Sequence, residues 1–260
     1  MNENRVYQIH VDRVPGLAKL FDVFDSQCKY PSNTELFRLN ISTSRHGKRL
    51  KEMRDDCERK PDVKKYENIE KKRKVNQQTE KKRKEMKEGM HVQPCDADHC
   101  RMSIVCSEKQ RYRYGKQMEE LRKRYGAQSW FPRGHYFYPA NKGFCSWHTN
   151  EYDLPGWRMY LIKVSSPEEV IEVSSPEEEK KKDKKVKSST FTYVNPSTEE
   201  RIRVCDKNRT AMLFKIPCKK TSSSQLWHNV HSGSFDRWSL GFALDDKFAL
   251  AILKASSSSC

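Results

Sequence analysis

From about Trp130 the spacing of apolar residues changes from a period near 3.6 to a period of 2, and it keeps that period almost to the end of the chain. Nine short runs rich in aromatic and branched residues carry it: 135–138, 144–149, 157–164, 190–194, 201–204, 211–216, 226–231, 237–244 and 248–253. Turn residues separate them and no helical stretch intervenes. Such a run of strands excludes a doubly wound α/β fold and leaves a sandwich, a jelly roll or a barrel. All five tryptophans, Trp130, Trp147, Trp157, Trp227 and Trp238, fall in this half, which places the core there.

What precedes the strands is helical or polar. The spacing predicts an amphipathic helix over 14–24, with Pro15 in its first turn. A second helix is predicted over 108–126: Tyr114, Met118, Leu121 and Tyr125 share one face, Glu119–Lys123 and Glu120–Arg124 pair on the other, and Gly126 ends it. The organisation read from these features is an N-terminal helical and polar region at 1–59, a lysine-rich exposed helix or disordered segment at 60–90, and a Cys/His-containing segment with a buttressing helix at 91–129. A β domain at 130–254 and a short tail at 255–260 complete it. Within the β domain, 164–188 is a low-complexity insertion in which Val-Ser-Ser-Pro-Glu-Glu occurs at Val164 and again at Val173.

Charge is concentrated rather than spread. The net charge is +16, with 33% of residues charged and 35% hydrophobic. Residues 60–90 carry twelve Lys/Arg against six Asp/Glu, and 179–187 carry six lysines against two acids. Lysine mixed with glutamate reads first as a solvated surface, and no aromatic residues interleave to make a single-strand stacking platform. A nucleic-acid or chromatin partner is therefore a secondary expectation. The tetrads Lys71–Lys74 and Lys81–Lys84 fit a nuclear-import signal. Nine cysteines without an apolar leader predict reduced thiols in an intracellular protein, nuclear or cytoplasmic, with no membrane partner. His91, Cys95, His99, Cys100 and Cys106 supply zinc-type donors, but no second closely spaced pair follows Cys95 and Cys100, so free thiols are expected.

The chemistry-bearing residues lie in the β half. Strand alternation predicts that His148 and Asn150 share a face, as do His228 and Val230, and Arg237, Ser239 and Gly241. Non-haem iron enzymes bind their metal with two histidines and a carboxylate. An arginine on a nearby strand, helped by a hydroxyl, can grip the far carboxylate of a dicarboxylate. The order here is His-x-Asn, then His eighty residues after the first, then Arg-x-Ser nine residues later.

Six stretches together resemble an Fe(II)/2-oxoglutarate-dependent oxygenase domain of the prolyl-hydroxylase-like type: Gly134-His-Tyr-Phe-Tyr-Pro, Trp147-His-Thr-Asn, Pro155-Gly-Trp-Arg-Met-Tyr, Leu213-Phe-Lys-Ile, Leu226-Trp-His-Asn-Val and Arg237-Trp-Ser-Leu-Gly-Phe. The resemblance covers about 130–254 and implies a mainly β double-stranded β-helix, or jelly roll, preceded by the lysine-rich helical region. It further implies Fe(II) held by His148 and His228, 2-oxoglutarate held by Arg237 with Ser239, and O₂ and 2-oxoglutarate as co-substrates. The reaction would be a hydroxylase-type oxidation of an unidentified substrate. Tyr160 would reach the co-substrate or pack, and Arg158 would meet substrate or solvent near the mouth. The family normally carries Asp or Glu where this chain has Asn150. Asn150 can ligate through its amide oxygen, Glu151 or Asp153 can supply the carboxylate, or the domain is a catalytically inactive binding module.

Overall fold

Period-2 patterning becomes paired strands in the computed structural model, which describes residues 6–32, 47–69, 89–92, 99–150, 155–165, 188–217 and 225–258. The first part of the chain holds β1 (Tyr7–His10), α1 (Leu17–Asp25), α2 (Gly47–Asp56) and a short helix α3 over 63–69. Then come β2 (Gly89–Val92), β3 (His99–Cys100), β4 (Met102–Val105) and α4 (Glu108–Arg124). Eight strands follow: β5 (Trp130–Tyr138), β6 (Phe144–His148), β7 (Gly156–Val164), β8 (Thr190–Val194), β9 (Arg201–Cys205), β10 (Thr210–Ile216), β11 (His228–His231) and β12 (Arg237–Leu244). Helix α5 (Asp246–Ser257) closes the described chain. No helix among the described residues is long and apolar enough to cross a membrane.

Among the described residues all strand pairs are antiparallel. They make a seven-stranded sheet, β1-β10-β7-β12-β5-β4-β2, and a five-stranded sheet, β3-β6-β11-β8-β9. The fold is thus mainly β with flanking helices. Side-chain alternation sorts the residues of the larger sheet between two cores. Trp157, Met159 and Leu161 of β7, Ala211 and Leu213 of β10, and Trp238, Leu240 and Phe242 of β12 join one core with the apolar faces of α1, α4 and α5. Ile162, Met212 and Phe214 turn the other way and meet Phe191, Tyr193 and Val230 of the smaller sheet. All eight residues of β12 are buried, as a central strand covered on both faces requires.

Several expectations change. Residues 248–253 are not a strand. Phe248, Ala249, Ile252 and Leu253 are the buried face of α5, and Asp245 caps that helix by accepting the Phe248 N–H at 2.7 Å. The first helix starts at Leu17, after a left-handed Gly16, so Pro15 lies in the preceding turn. In α4, Ser107 and Gln110 form a capping box, and Glu119 pairs with Arg122 at 2.6 and 2.8 Å rather than with Lys123. The sheets also reach beyond 130–254: β1 is an edge strand paired with β10, and β2, β3 and β4 extend both sheets. The lysine-rich segment begins as α3, whose Tyr66 is buried against Trp227, so this stretch does have something to bury. The two basic tetrads, Cys95 and the Ser-Pro-Glu-Glu sequences lie outside the described residues.

Candidate functional site

His148 ends β6 and His228 opens β11, and the two are register partners on neighbouring strands. Their ring centroids are 4.1 Å apart. Each ring is oriented by a backbone carbonyl two residues earlier: His148 Nδ1 donates to Ser146 O at 2.7 Å, and His228 Nδ1 donates to Leu226 O at 2.9 Å. With the proton on Nδ1, the lone pair of a neutral imidazole sits on Nε2, the arrangement metal-binding histidines commonly adopt. Burial holds the His228 pKa well below its ordinary value, and the neighbouring His148 adds to the effect. His228 is therefore a neutral donor at physiological pH. Phe191 and Phe214 pack on its ring at 5.2 and 5.1 Å and keep water from it.

Asn150 reaches the same place by a different route from the one alternation predicts. The strand stops at His148, and Asn150 lies two residues on in the left-handed region, with φ 57°. Asn is among the few residues that tolerate that conformation. Its Nδ2 donates to His228 Nε2 at 3.1 Å. Half a turn of the amide would point Oδ1, an oxygen donor, at that position. Glu151 and Asp153, the alternative carboxylates, lie outside the described residues. Among the described residues, no three His, Cys, Asp or Glu side chains cluster as a metal site.

The three residues face a cavity of about 480 Å³ between the sheets, which Tyr160, Arg237 and Ser239 also line. Ser239 and Gly241 follow Arg237 at intervals of two along β12, as expected for one inward face. Arg237 is 3% exposed at its side chain, and its Nε donates at 2.8 Å to Asp206, just past β9. Ser189 Oγ donates to the same Asp206 oxygen at 2.7 Å. This buried pair fixes the guanidinium from behind, and removing the carboxylate would cost about 3–5 kcal/mol. Tyr160 stacks on Phe214, centroids 5.9 Å apart.

Arg158, the other histidines of this half and the tryptophans fall elsewhere. Arg158 is 1% exposed and donates to Trp157 O, so it is not a residue of the solvent-facing mouth. His135 faces outward against Phe24, and His231 Nδ1 accepts from the Gly233 N–H. Trp147, Trp157, Trp227 and Trp238 are buried packing residues. Among the zinc-type donors, His99 and Cys100 are buried in β3, and Cys106 Sγ lies 3.6 Å from His135 Nδ1.

Sequence reasoning missed Asp206, Tyr138, Arg101 and Arg133. Tyr138 lies under Arg237, its ring 5.2 Å from the guanidinium carbon, and accepts from Arg101 Nη1 at 3.2 Å. Arg101 also covers the Tyr136 ring at 4.0 Å. Asp206 is 31 residues from Arg237 in sequence, and no local pattern links them. Arg133 precedes the first alternating run, 135–138, and a period of 2 does not show the register shift that turns it inward.

No protein-family profile and no curated protein matches the chain. Among solved structures, a prolyl-4-hydroxylase from Pseudomonas putida is similar with a TM-score of 0.40 at 12% identity, covering 75% of this chain and 98% of that one. An oxidoreductase of the 2OG-Fe(II) oxygenase family from Burkholderia pseudomallei gives 0.34 at 8% identity, covering 55% of this chain and 61% of that one.

Proposed function

We propose that β5–β12 form a double-stranded β-helix and that the protein is an Fe(II)- and 2-oxoglutarate-dependent dioxygenase. One observation carries the reading. Two imidazoles on paired strands, each fixed through Nδ1, share a cavity with a buried arginine and a serine on one face of β12. Imidazole and oxygen donors suit Fe(II), so the donor set of His148, His228 and Asn150 fits the metal. The neutral amide makes it a weaker site than a carboxylate would. Iron bound there would supply O₂-activating redox chemistry, with 2-oxoglutarate as the reductant.

The chain's own contributions follow from the geometry. Arg237 grips the far carboxylate of 2-oxoglutarate, and Ser239 adds a hydroxyl. Asp206 keeps Arg237 in place through Nε, leaving the outer guanidinium nitrogens for the ligand. Tyr160, Phe191 and Phe214 shape the wall and exclude water from the histidines. The competing reading is a non-catalytic module on the same fold, and it is motivated by Asn150.

Anaerobic calorimetry with Mn(II), a redox-inert stand-in for iron, separates the two. The oxygenase reading expects Mn(II) binding that His228→Ala abolishes, and metal-dependent 2-oxoglutarate binding that Arg237→Gln abolishes. A folded wild-type protein that binds neither ligand is the binding module.

A further inference from the structure

We infer that the cavity holds a second anion beside the co-substrate, and that the prime substrate carries an acidic group anchored by Arg133. The inference builds on the assignment of Arg237 to 2-oxoglutarate. It starts from a fault in the register of β5. Leu240 pairs with His135 and Phe242 pairs with Pro132, so Arg133 and Gly134 together oppose the single residue Gly241. That is a β-bulge, a device that re-aims side chains and is frequent beside active sites. In an unbroken strand Arg133 would share the face of His135 and Phe137, which look outward toward Phe24 and Trp238. The bulge instead brings Arg133 into the inward slot, and its side chain lines the cavity.

Gly241 makes room for it. A Cβ there would sit 2.6 Å from the Tyr160 ring and 3.1 Å from Arg133 Cβ. Gly134 does the same for Tyr136, whose ring occupies the place a Cβ would take. The bulge and Gly241 thus make room for Arg133, and Gly134 makes room for the neighbouring Tyr136 ring.

Position and charge indicate its use. Gly241 is four residues beyond Arg237, roughly 13 Å along the strand, so Arg133 and Arg237 serve different ends of the cavity. The Arg133 end is the histidine end: Tyr160 abuts Gly241 and stacks on Phe214, which touches His228. Arg101, Arg133 and Arg237 all line the cavity, and none of its described lining residues is Asp or Glu. Asp206 offsets Arg237 from behind rather than from the lining. With a neutral Asn150 in the donor set, a bound divalent metal and one dicarboxylate leave a positive balance among the described lining residues. A carboxylate or phosphate on the substrate matches the guanidinium fork.

The test uses the full chain saturated with Mn(II) and 2-oxoglutarate, titrated in parallel with inorganic phosphate and with acetate. We expect at least one anion to bind without displacing 2-oxoglutarate, and the tighter of the two identifies the substrate's acidic group. Arg133→Gln should weaken that binding about 10-fold or more. Arg133→Lys, which keeps the charge but loses the two-pronged donor, should retain only part of it, and Arg237→Gln should lose 2-oxoglutarate but keep the anion. Anion binding that competes with 2-oxoglutarate, that is absent from wild type, or that survives in Arg133→Gln overturns the inference. Binding at Arg133 in a protein that takes up no 2-oxoglutarate leaves the second-anion site standing and defeats the oxygenase reading alone.

Discussion

At the residue scale, the proposed chemistry turns on Asn150. Asn and Asp are the two ordinary residues that best tolerate its φ of 57°, so Asn150→Asp changes the charge of the donor while leaving the backbone as it is. If Asn150 is the third donor, the carboxylate should raise Mn(II) affinity about 10-fold or more, as ligand charge does in oxygen-donor sites. Calorimetry of the variant checks this, and unchanged affinity would place the third donor elsewhere. His148, His228, Arg237, Ser239 and Tyr160 were legible because each sits on a strand whose alternation sets its facing. Asn150 was legible as a residue but not as a geometry, since a left-handed turn rather than strand continuation brings it to His228. Asp206 and Arg133 were hidden for separate reasons. One is a long-range partner, and the other is turned inward by a bulge that a period of 2 cannot express.

At the scale of elements, the histidine strands are braced from outside. Trp147 precedes His148 and donates through Nε1 to Asp56 O at 3.0 Å. Asn229 follows His228 and donates to Cys57 O at 3.0 Å. Met53, Cys57 and Tyr66 are buried along the same α2–α3 stretch, with Tyr66 against Trp227. Tyr66→Ala should cost about 3–5 kcal/mol in urea unfolding. It should also weaken Mn(II) binding, because Trp227 and Asn229 flank a proposed ligand. Lost stability with unaltered metal affinity would make the brace a matter of folding only. This stretch was not legible because α2 is mostly charged and shows few apolar residues to a pattern search. The misread segment 248–253 has the opposite problem: a short apolar run fits either period, and the Asp245 cap arbitrates.

At the scale of the whole molecule, stability should fall in acid through His135. Burial pushes its pKa down to about 4, below the ordinary 6.5. Between those values the unfolded chain takes up a proton that the folded chain does not, so stability is present above pH 6.5 and is lost as pH falls toward 4. The loss should approach about 3 kcal/mol. Urea unfolding of wild type and His135→Gln across that window checks the sign. The wild type should lose stability relative to the variant on acidification, and parallel curves would contradict the assignment. Alternation made the mainly β character of the chain from about Trp130 readable. The short strands β1 to β4 were not, and β1 and β3 also borrow their pairing partners, β10 and β6, from distant sequence.

The proposed metal- and 2-oxoglutarate-dependent oxidation in this cavity releases succinate from 2-oxoglutarate, and that release is the measurement to make. The wild-type protein with added Fe(II) should form succinate above background, and His228→Ala should not. No succinate from a folded wild type that also fails to bind Fe(II) and 2-oxoglutarate would contradict the account and leave a β module without oxygenase chemistry.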